Sequence, residues 1–412
     1  TYQADKQQRG HLGIALPRIV VPNLHGSIIG RPAHGSASHE QTLAKKEKYM
    51  SITPEEVNGN VLVVAGPEGT QQHSPETITI SRPIRRPARV LVVTGMYPTQ
   101  HVPHSGTFTK SQVDSLVAAG VKVEVIHPKP GPPPLRYLSG ALQVILKALS
   151  GRYDIVHGHF GLWCLAARLQ WKAPVVASFL GDDLLGKPVA GGGFSKKGAL
   201  VVLVSRWLCH HVDAIIVKSE EMKKATRSSR DDIFVIPNGV NFELFRPMPR
   251  AAARAALGWK QDGYYVLFGN DPQRPQKNYA LARAAIECLR AKGIAAELVV
   301  ANGLPQTTVV QYINASNALI LPSIHEGSPN IVKETMACNV PVVATDVGDV
   351  SQLIGGTQGC TVCSHSAEEL AVGLEKALLF KGPTTGRADI ANLENSVVAE
   401  QVLAVYDLAM RE

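Results

Sequence analysis

Two glutamates, Glu326 and Glu334, stand eight positions apart in the stretch HEGSPNIVKETMACNVPVVATDVG. The apolar run 318–322 before them is typical of a buried parallel strand, and the residues after the Gly-Ser-Pro-Asn turn have helical spacing. The second glutamate is therefore expected about two turns into that helix, since eight residues at 3.6 per turn is roughly 2.2 turns. A helix N-terminus attracts anions, while a carboxylate is a good bidentate partner for vicinal hydroxyls. A phosphate and a ribose bound in one crevice predict a nucleotide site.

The same stretch resembles the Glu–seven residues–Glu signature of retaining GT-B glycosyltransferases of the group 1, or family 4, type. The resemblance extends from about residue 88 to the C-terminus and includes five strand-end segments: 89–98, 105–108, 154–159, 177–183 and 236–247. Each segment alone is common among α/β folds, so their order and spacing carry the resemblance. It implies an α/β fold with two Rossmann-like, doubly wound lobes (GT-B) and an extra N-terminal segment.

The hydrophobic pattern supports this division, because apolar strands alternate with helical patterns from 89 to about 250 and again from about 262. We expect an N-terminal, acceptor-side lobe at 89–255 and a C-terminal, nucleotide-sugar-binding lobe at 256–395. The resemblance implies that the C-terminal helix, 396–412, crosses back to the first lobe.

Residues 1–88 form an N-terminal extension of unclear fold. They contain short β-like runs at 18–21, 61–64 and 77–80. A small β-rich appendage, an oligomerisation arm and a partly disordered chain all fit this composition.

The segment 269–278 follows the first predicted strand of the second lobe and resembles the family's basic diphosphate loop. Lys277 matches that loop, whereas Asn270 stands where a basic residue is usual, so Arg274 is expected to supply the second cation. Arginine binds phosphate in a bidentate manner and lysine acts as a point charge. The resemblance implies three catalytic residues: Lys277 and Arg274 on the leaving diphosphate, and Glu326 beside the transferred sugar. Two ordinary surface cations in a polar loop are the alternative.

The resemblance also implies a donor-binding set around the diphosphate and the ribose: Gly106, Asn270, Ser328, Pro329, Asn330, Ile331 and Glu334. Glu334 is expected to hold the ribose hydroxyls. Gly106 would let the backbone approach the donor phosphate. Pro329 has no N–H group, so the donors of the turn must come from its neighbours.

Four polar residues at strand ends of the first lobe are the acceptor-binding candidates: His157, His159, Asp182 and Asp183. A structural role fits the two histidines equally well. In many relatives a histidine precedes the Gly-x-Asp loop and contacts the sugar, but Leu180 stands at that position here.

Neither a metal nor a cofactor is expected. Asp182 and Asp183 are adjacent rather than spaced as Asp-x-Asp. Cys360 and Cys363 have metal-like spacing, but no second pair completes a zinc site. We expect reduced thiols at all six cysteines, which is consistent with the cytoplasm.

The net charge of +8 is concentrated between Lys129 and Lys260, a segment that contains nineteen Lys/Arg and nine Asp/Glu. A solvated basic surface is one interpretation, and a patch for anionic lipid or a pyrophosphate-bearing acceptor is another. The best candidates for such a patch are Lys223, Lys224, Arg227 and Arg230. Nucleic acid is disfavoured, because no aromatic-studded basic motif accompanies the charge.

No uncharged apolar run approaches the ~20 residues that span a bilayer, and the polar start predicts no signal peptide. The sequence therefore predicts a cytoplasmic enzyme, with peripheral association at the inner face of the membrane. The resemblance implies that it moves a sugar from a UDP- or GDP-sugar to a glycan or lipid-linked acceptor with retention, in polysaccharide or glycolipid assembly. A non-catalytic GT-B binding protein and a nucleotide-sugar 2-epimerase are the alternatives.

Overall fold

The computed structural model describes residues 84–129, 131–187, 193 and 195–411, and four short strands nearer the N-terminus. These strands are β1 (Arg18–Ile19), β2 (Met50–Ser51), β3 (Leu62–Val64) and β4 (Ile78–Ile80). They pair antiparallel, β1 with β2 and β3 with β4. The β-like runs of the extension thus form strands over part of their length, and the rest of 1–83 lies outside the described residues.

A six-stranded parallel sheet organises the first lobe, in the order β10-β9-β8-β7-β5-β6. Its strands are β5 (Arg89–Thr94), β6 (Lys122–Ile126), β7 (Ile155–His159), β8 (Val175–Ser178), β9 (Ala214–Val217) and β10 (Ile233–Val235). Every residue of β7, β8 and β9 is buried. These strands are nearly continuous apolar runs because both faces of a parallel sheet are covered by helices.

The helices of this lobe are α1 (Thr107–Ala118), α2 (Pro133–Ser150), α3 (Gly161–Arg168), α4 (Asp182–Leu185), α5 (Lys196–Leu208) and α6 (Glu220–Ala225). The chain moves along the sheet in one direction from β5 to β6 and in the other from β6 through β7 and β8 to β9. Because parallel crossovers are right-handed, α2, α3 and α5 cover one face of the sheet and α1 covers the other.

A five-stranded parallel sheet organises the second lobe, in the order β12-β11-β13-β14-β15. Its strands are β11 (Tyr264–Phe268), β12 (Ala296–Val300), β13 (Ala318–Leu321), β14 (Val342–Thr345) and β15 (Thr361–Cys363). Its helices are α7 (Arg250–Leu257), α8 (Tyr279–Ala291), α9 (Gln306–Ala315), α10 (Asn330–Ala337), α11 (Val350–Ile354), α12 (Ala367–Leu379) and α13 (Gly386–Asp389). One hydrophobic cluster lies on each face of this sheet. The predicted pair of doubly wound lobes is confirmed.

The last helix, α14 (Asn395–Ala409), packs against α1 of the first lobe. Asn395 Nδ2 donates to Ser111 Oγ at 2.7 Å. The buried Tyr406 hydroxyl lies 2.7 Å from His157 Nδ1, and the other ring nitrogen of that histidine lies 2.7 Å from Ser178 Oγ. The final turns of the chain therefore attach to the centre of the first sheet.

Removing the Tyr406 hydroxyl is expected to destabilise the fold. Burial holds the pKa of His157 well below its ordinary value, so the ring is neutral and needs one donor and one acceptor. Tyr406→Phe leaves Nδ1 unpaired in the core and should lower the free energy of unfolding in urea by about 1–3 kcal/mol. The control is Tyr137→Phe, since that hydroxyl has no hydrogen bond among the described residues; its effect should stay within about 0.5 kcal/mol. An equal loss of unfolding free energy in the two variants would contradict a stabilising hydrogen bond between Tyr406 and His157.

Candidate active site

A cleft of about 470 Å³ lies where the loops after the strands of both sheets meet. This volume is in the range of ligand pockets, and the carboxyl ends of parallel strands are where such pockets form in open α/β sheets. The first lobe contributes Met96, Phe108, Phe160, Leu180 and Asp182, and the second contributes residues of the turns after β11, β12 and β13.

Two helices begin at the cleft. Asn330 and Ile331 open α10 and line it, and their N–H groups lie in the first helical turn, where no intrahelical acceptor is available. Thr107 opens α1 on the opposite wall. Neither helix has an acidic residue in its first turn. Both walls of the cleft therefore favour an anion.

Gly106 precedes α1 with φ of 66°. A Cβ there would lie 2.2 Å from the Met96 carbonyl oxygen, so only glycine allows the loop after β5 to contact the start of α1. Gly106 itself does not line the cleft, whereas its neighbour Thr107 and the contacted Met96 do. The residue thus shapes this wall through backbone packing.

Lys277 and Glu326 form an ion pair, with Nζ 2.6 Å from Oε1. The lysine lies in the 3₁₀ turn Pro275–Lys277 after β11, and the glutamate follows β13. Ser323 Oγ donates to the same carboxylate oxygen at 2.7 Å. Both paired side chains are about nine-tenths buried. The structure brings these two predicted residues together directly.

Arg274 and Asp182 approach each other across the cleft, with Nη2 3.8 Å from Oδ2. The other carboxylate oxygen lies 3.5 Å from His325 Nε2. Burial by itself raises the pKa of Asp182, but the nearby His325 ring and the charge of Arg274 outweigh it and lower the pKa. With its amide turned so that the oxygen faces the guanidinium, Gln276 accepts from Arg274 Nε and Nη2 at 3.1 and 2.6 Å.

Two of the predicted donor-binding residues face the cleft with polar groups that have no hydrogen bond to any described residue. One is the partly buried carboxylate of Glu334, in the second turn of α10. Burial raises the pKa of this carboxyl to about 7, against the opposing charge of Lys333. The other is the buried Asn270 Nδ2 atom, at the position where the family's basic residue is usual. The site thus has a free hydrogen-bond acceptor, on Glu334, and a free hydrogen-bond donor, on Asn270, among the described residues.

Lys333 is a residue that sequence reasoning missed. It is buried, and its Nζ donates to the carbonyl of Asn238 and to Ser328 Oγ, both at 2.9 Å. Burial lowers its pKa to about 8. The lysine therefore pins the turn that carries the predicted donor residues to the segment joining the lobes. A lysine among the apolar residues of a short buried helix was the available signal.

Three of the four acceptor candidates are not brought to the cleft. His157 and His159 are buried in β7, with ring centroids 4.2 Å apart, and burial lowers the pKa of His159 to about 3. Asp183 is fully buried, and its carboxylate accepts from the backbone N–H groups of Leu180, Gly181 and Gly161 at 2.9, 2.9 and 3.1 Å. Burial raises the pKa of Asp183 to about 6 despite these bonds. Asp182 alone lines the cleft.

Over the described part of the chain, no group of three or more His, Cys, Asp or Glu side chains is arranged to hold a metal ion. All six cysteines are free thiols. None of the helices in that same part is long and apolar enough to cross a membrane.

Two models of known protein families match both lobes of this structure. The model described as Glycosyltransferase Family 4 matches residues 84–244, and the model described as Glycosyl transferases group 1 matches residues 245–379. The first match spans the lobe built on β5–β10, and the second spans the lobe that carries Lys277, Glu326 and Glu334.

Curated relatives are distant. The chain is 25% identical to a D-inositol 3-phosphate glycosyltransferase of Thermobispora bispora over 59% of its length and 66% of the relative's, just under two thirds of that protein. It is also 25% identical to the putative teichuronic acid biosynthesis glycosyltransferase TuaC of Bacillus subtilis, over 70% of this chain and 88% of the relative.

Solved structures share the fold at lower identity. A sucrose-phosphate synthase of Thermosynechococcus elongatus aligns with a TM-score of 0.58 at 19% identity, over 76% of this chain and 97% of that one. The Anabaena protein HepE, solved with UDP and glucose, aligns with a TM-score of 0.56 at 15% identity, over 77% and 98%. The chain belongs to the family 4, group 1 glycosyltransferases, a retaining family of enzymes with the GT-B fold.

Proposed function

We propose that this enzyme transfers a sugar from a UDP- or GDP-sugar to a glycan or lipid-linked acceptor in polysaccharide or glycolipid assembly. The observation that carries the proposal is the convergence, in one cleft, of the buried cation of Lys277, two helix N-termini and the open carboxylate of Glu334. The cations and N–H groups suit a diphosphate, and the carboxylate suits a ribose. The relative named for teichuronic acid biosynthesis supports a glycan acceptor, whereas D-inositol 3-phosphate, in the name of the other relative, is a small phosphorylated polyol.

In the proposed mechanism, the diphosphate lies between Lys277, Arg274 and the first N–H groups of α10. Negative charge builds on the diphosphate as the bond to the anomeric carbon breaks, and donors fixed in place before the reaction lower that barrier most. Asn270 Nδ2, unpaired within the described residues, would donate where relatives have a cation. Ser328 and Pro329 fix the turn that presents these groups. These cations and N–H groups would compensate the charge, so we propose that transfer needs neither a metal nor a cofactor.

Lys277 is suited to bind Glu326 and the diphosphate at the same time. An ammonium group has three donors, and within the described residues one of them is committed to Glu326. The other two remain for phosphate oxygens. Glu326 would then lie beside the anomeric carbon, where its carboxylate stabilises the developing positive charge. Ser323 keeps that carboxylate oriented through the second hydrogen bond.

Glu334 is assigned to the ribose hydroxyls. An apolar wall formed by Ala301, Leu304 and Val309 follows β12 and would take the nucleobase. On the opposite wall, Asp182, which lies beside His325, would accept a hydrogen bond from a hydroxyl of the sugar or acceptor.

The proposed roles of the segments follow from this arrangement. Residues 89–255 form the acceptor-side lobe, 256–395 the nucleotide-sugar-binding lobe, and 396–412 the helix that returns to the first lobe, with 1–88 as an N-terminal extension. Free thiols at all six cysteines fit a cytoplasmic address, at the inner face of the membrane if the acceptor is lipid-linked.

Donor affinity is expected to depend on pH through Glu334. Its pKa of about 7 means that the carboxylate, which must accept the ribose hydroxyls, forms as the pH rises through 7. The dissociation constant for the preferred nucleoside diphosphate should therefore fall about tenfold between pH 6 and pH 8 as Glu334 ionises. Calorimetric titration at several pH values measures this. Glu334→Gln should flatten the profile, and an unchanged profile in that variant would assign the titration to another group.

The proposal is tested by product analysis with a panel of UDP- and GDP-sugars and with glycan and lipid-linked acceptors. Formation of a glycosylated product with release of the nucleoside diphosphate is the expected result. Asn270 and Leu180, at positions where relatives carry a cation and a histidine, favour one alternative: a chain that binds donors without transfer. Donor binding with neither hydrolysis nor transfer would establish that alternative, and epimerised nucleotide-sugar would establish a 2-epimerase.

A further inference from the structure

The outer surface of α2 is apolar although it faces solvent. Five leucines spaced by three, four, four and three residues are each more than half exposed: Leu135, Leu138, Leu142, Leu146 and Leu149. At 100° per residue these positions lie within roughly 80° of the helix circumference, so they form one stripe. The opposite side of the helix is also apolar and is buried, through Ala141, Val144 and Ala148. The helix is thus apolar on the inside and on the outside.

The stripe continues onto the neighbouring elements. Helix α3 contacts both α2 and α5, and all three cover the same face of the first sheet. Five more large apolar side chains, on α5 or directly after α3, are 48–70% exposed: Leu169, Trp171, Leu200, Leu203 and Trp207. We call the surface formed by these ten side chains the apolar face. Exposed apolar surface of this extent is uncommon on a monomeric protein and marks an interaction site.

The charged residues on the segments of the apolar face are all basic, although Lys147 of α2 pairs with Glu124 of β6. The segments 133–153, 161–172 and 195–211 contain no aspartate or glutamate. Exposed cations lie on or beside these segments at Arg152, Lys172, Lys196 and Lys197. Helix α6 lies beside α5, because Arg206 Nε donates to the Ala225 carbonyl at 3.0 Å. This contact brings the exposed Lys224 and Arg227 to the same border, although Glu220 and Glu221 lie at the start of α6.

We propose that the apolar face docks on the surface of an anionic lipid bilayer. Leucine and tryptophan side chains on one surface, bordered by Lys and Arg, are what an interfacial element requires: the apolar groups enter the acyl boundary and the cations meet anionic headgroups. A second copy of the chain is a poorer occupant, because a symmetric contact would bring the cationic border against itself. The lipid contact then involves α2, α3 and α5 rather than the basic cluster 223–230 alone.

The start of α2 lies next to the cleft. Arg136, in its first turn, donates from Nη2 to the Gly95 carbonyl at 2.6 Å, and the next residue, Met96, lines the cleft. The same guanidinium lies over the Trp163 ring, 5.4 Å from its centroid. A bilayer on the apolar face would therefore lie beside the acceptor side of the cleft. This inference rests on the proposed function, since it explains how a lipid-linked acceptor reaches the site.

The test measures binding of the full chain to vesicles of phosphatidylcholine with one quarter phosphatidylglycerol, by co-sedimentation in 0.1 M and 0.5 M salt. The triple variant Leu138→Gln, Leu142→Gln, Leu203→Gln should bind at least tenfold more weakly than the unmodified chain. A matched triple, Val117→Gln, Val372→Gln, Leu379→Gln, changes three exposed aliphatic side chains outside the apolar face and should bind as the unmodified chain does. Lys172→Glu, Lys196→Glu, Lys197→Glu should remove the preference for phosphatidylglycerol over pure phosphatidylcholine.

Three results would overturn the inference. The first is no vesicle binding by the unmodified chain in 0.1 M salt, and the second is equal loss in the two glutamine triples. The third is a dimer, seen by analytical ultracentrifugation, that the Leu138/Leu142/Leu203 triple dissociates, since the apolar face would then hold a second copy. Vesicle binding needs no sugar transfer. A chain that binds vesicles but transfers nothing thus contradicts the proposed function alone, and a chain that transfers sugar without vesicle binding contradicts this inference alone.

Discussion

Replacing Lys277 with methionine is expected to lower kcat/KM for the nucleotide-sugar by about 10²–10³-fold. The loss has the size measured when one preorganised donor to a developing negative charge is removed. It also leaves Glu326, about nine-tenths buried, with the Ser323 hydroxyl as its one remaining hydrogen-bond partner among the described residues. Steady-state kinetics with the donor identified from the panel measure the effect, and circular dichroism checks the fold.

The matched control for Lys277 is Arg274→Ala. The Arg274 side chain is half exposed and its guanidinium lies 3.8 Å from Asp182, so its loss should cost less, about 1.5 kcal/mol or roughly tenfold. If kcat/KM for the nucleotide-sugar were unchanged in both variants, the diphosphate would have to bind elsewhere.

The two glutamates of the signature are expected to give opposite kinetic patterns. Glu334→Gln should raise the KM for the donor by roughly 10–100-fold with little change in kcat, because a ribose contact is the same in the ground state and the transition state. Glu326→Gln should lower kcat by roughly 100-fold or more with little change in KM, because its partner charge develops only in the transition state. The same pattern in both variants would contradict this division of roles.

The predicted site residues that lie together in the cleft are those whose positions depend on local order. Glu326 and Glu334 are fixed relative to each other by one turn and one helix, and Lys277 follows β11 within a short loop, so spacing alone places them at a strand end. The ion pair between Lys277 and Glu326 was not predictable, because it joins two loops 49 residues apart. Lys333 was missed for a similar reason, since its acceptor at Asn238 lies 95 residues away.

The acceptor candidates show where strand-end reasoning fails. His157 and His159 are two positions apart, so both project to the same face of β7. That face is covered by α14, whose Tyr406 is 249 residues further along the chain. Adjacent carboxylates on the single turn of α4 point in different directions: Asp182 lines the cleft, and Asp183 binds backbone N–H groups in the interior. Only tertiary packing decides between these environments.

The periodicity of the sequence could not show that the leucines of the apolar face are exposed rather than part of the hydrophobic core. Helix α2 carries apolar residues on both sides, and a helix that is apolar all round is normally a buried one. The exposure of its leucines becomes visible only once the sheet shows which side α2 packs against.

A crystal structure with the preferred nucleoside diphosphate bound tests the central claim most directly. We expect diphosphate oxygens within hydrogen-bond distance of Lys277 Nζ and of the N–H groups of Asn330 and Ile331, with both ribose hydroxyls on the Glu334 carboxylate. A nucleotide bound outside the cleft, or bound within it with the ribose away from Glu334 and no phosphate contact to Lys277, would contradict the assigned site.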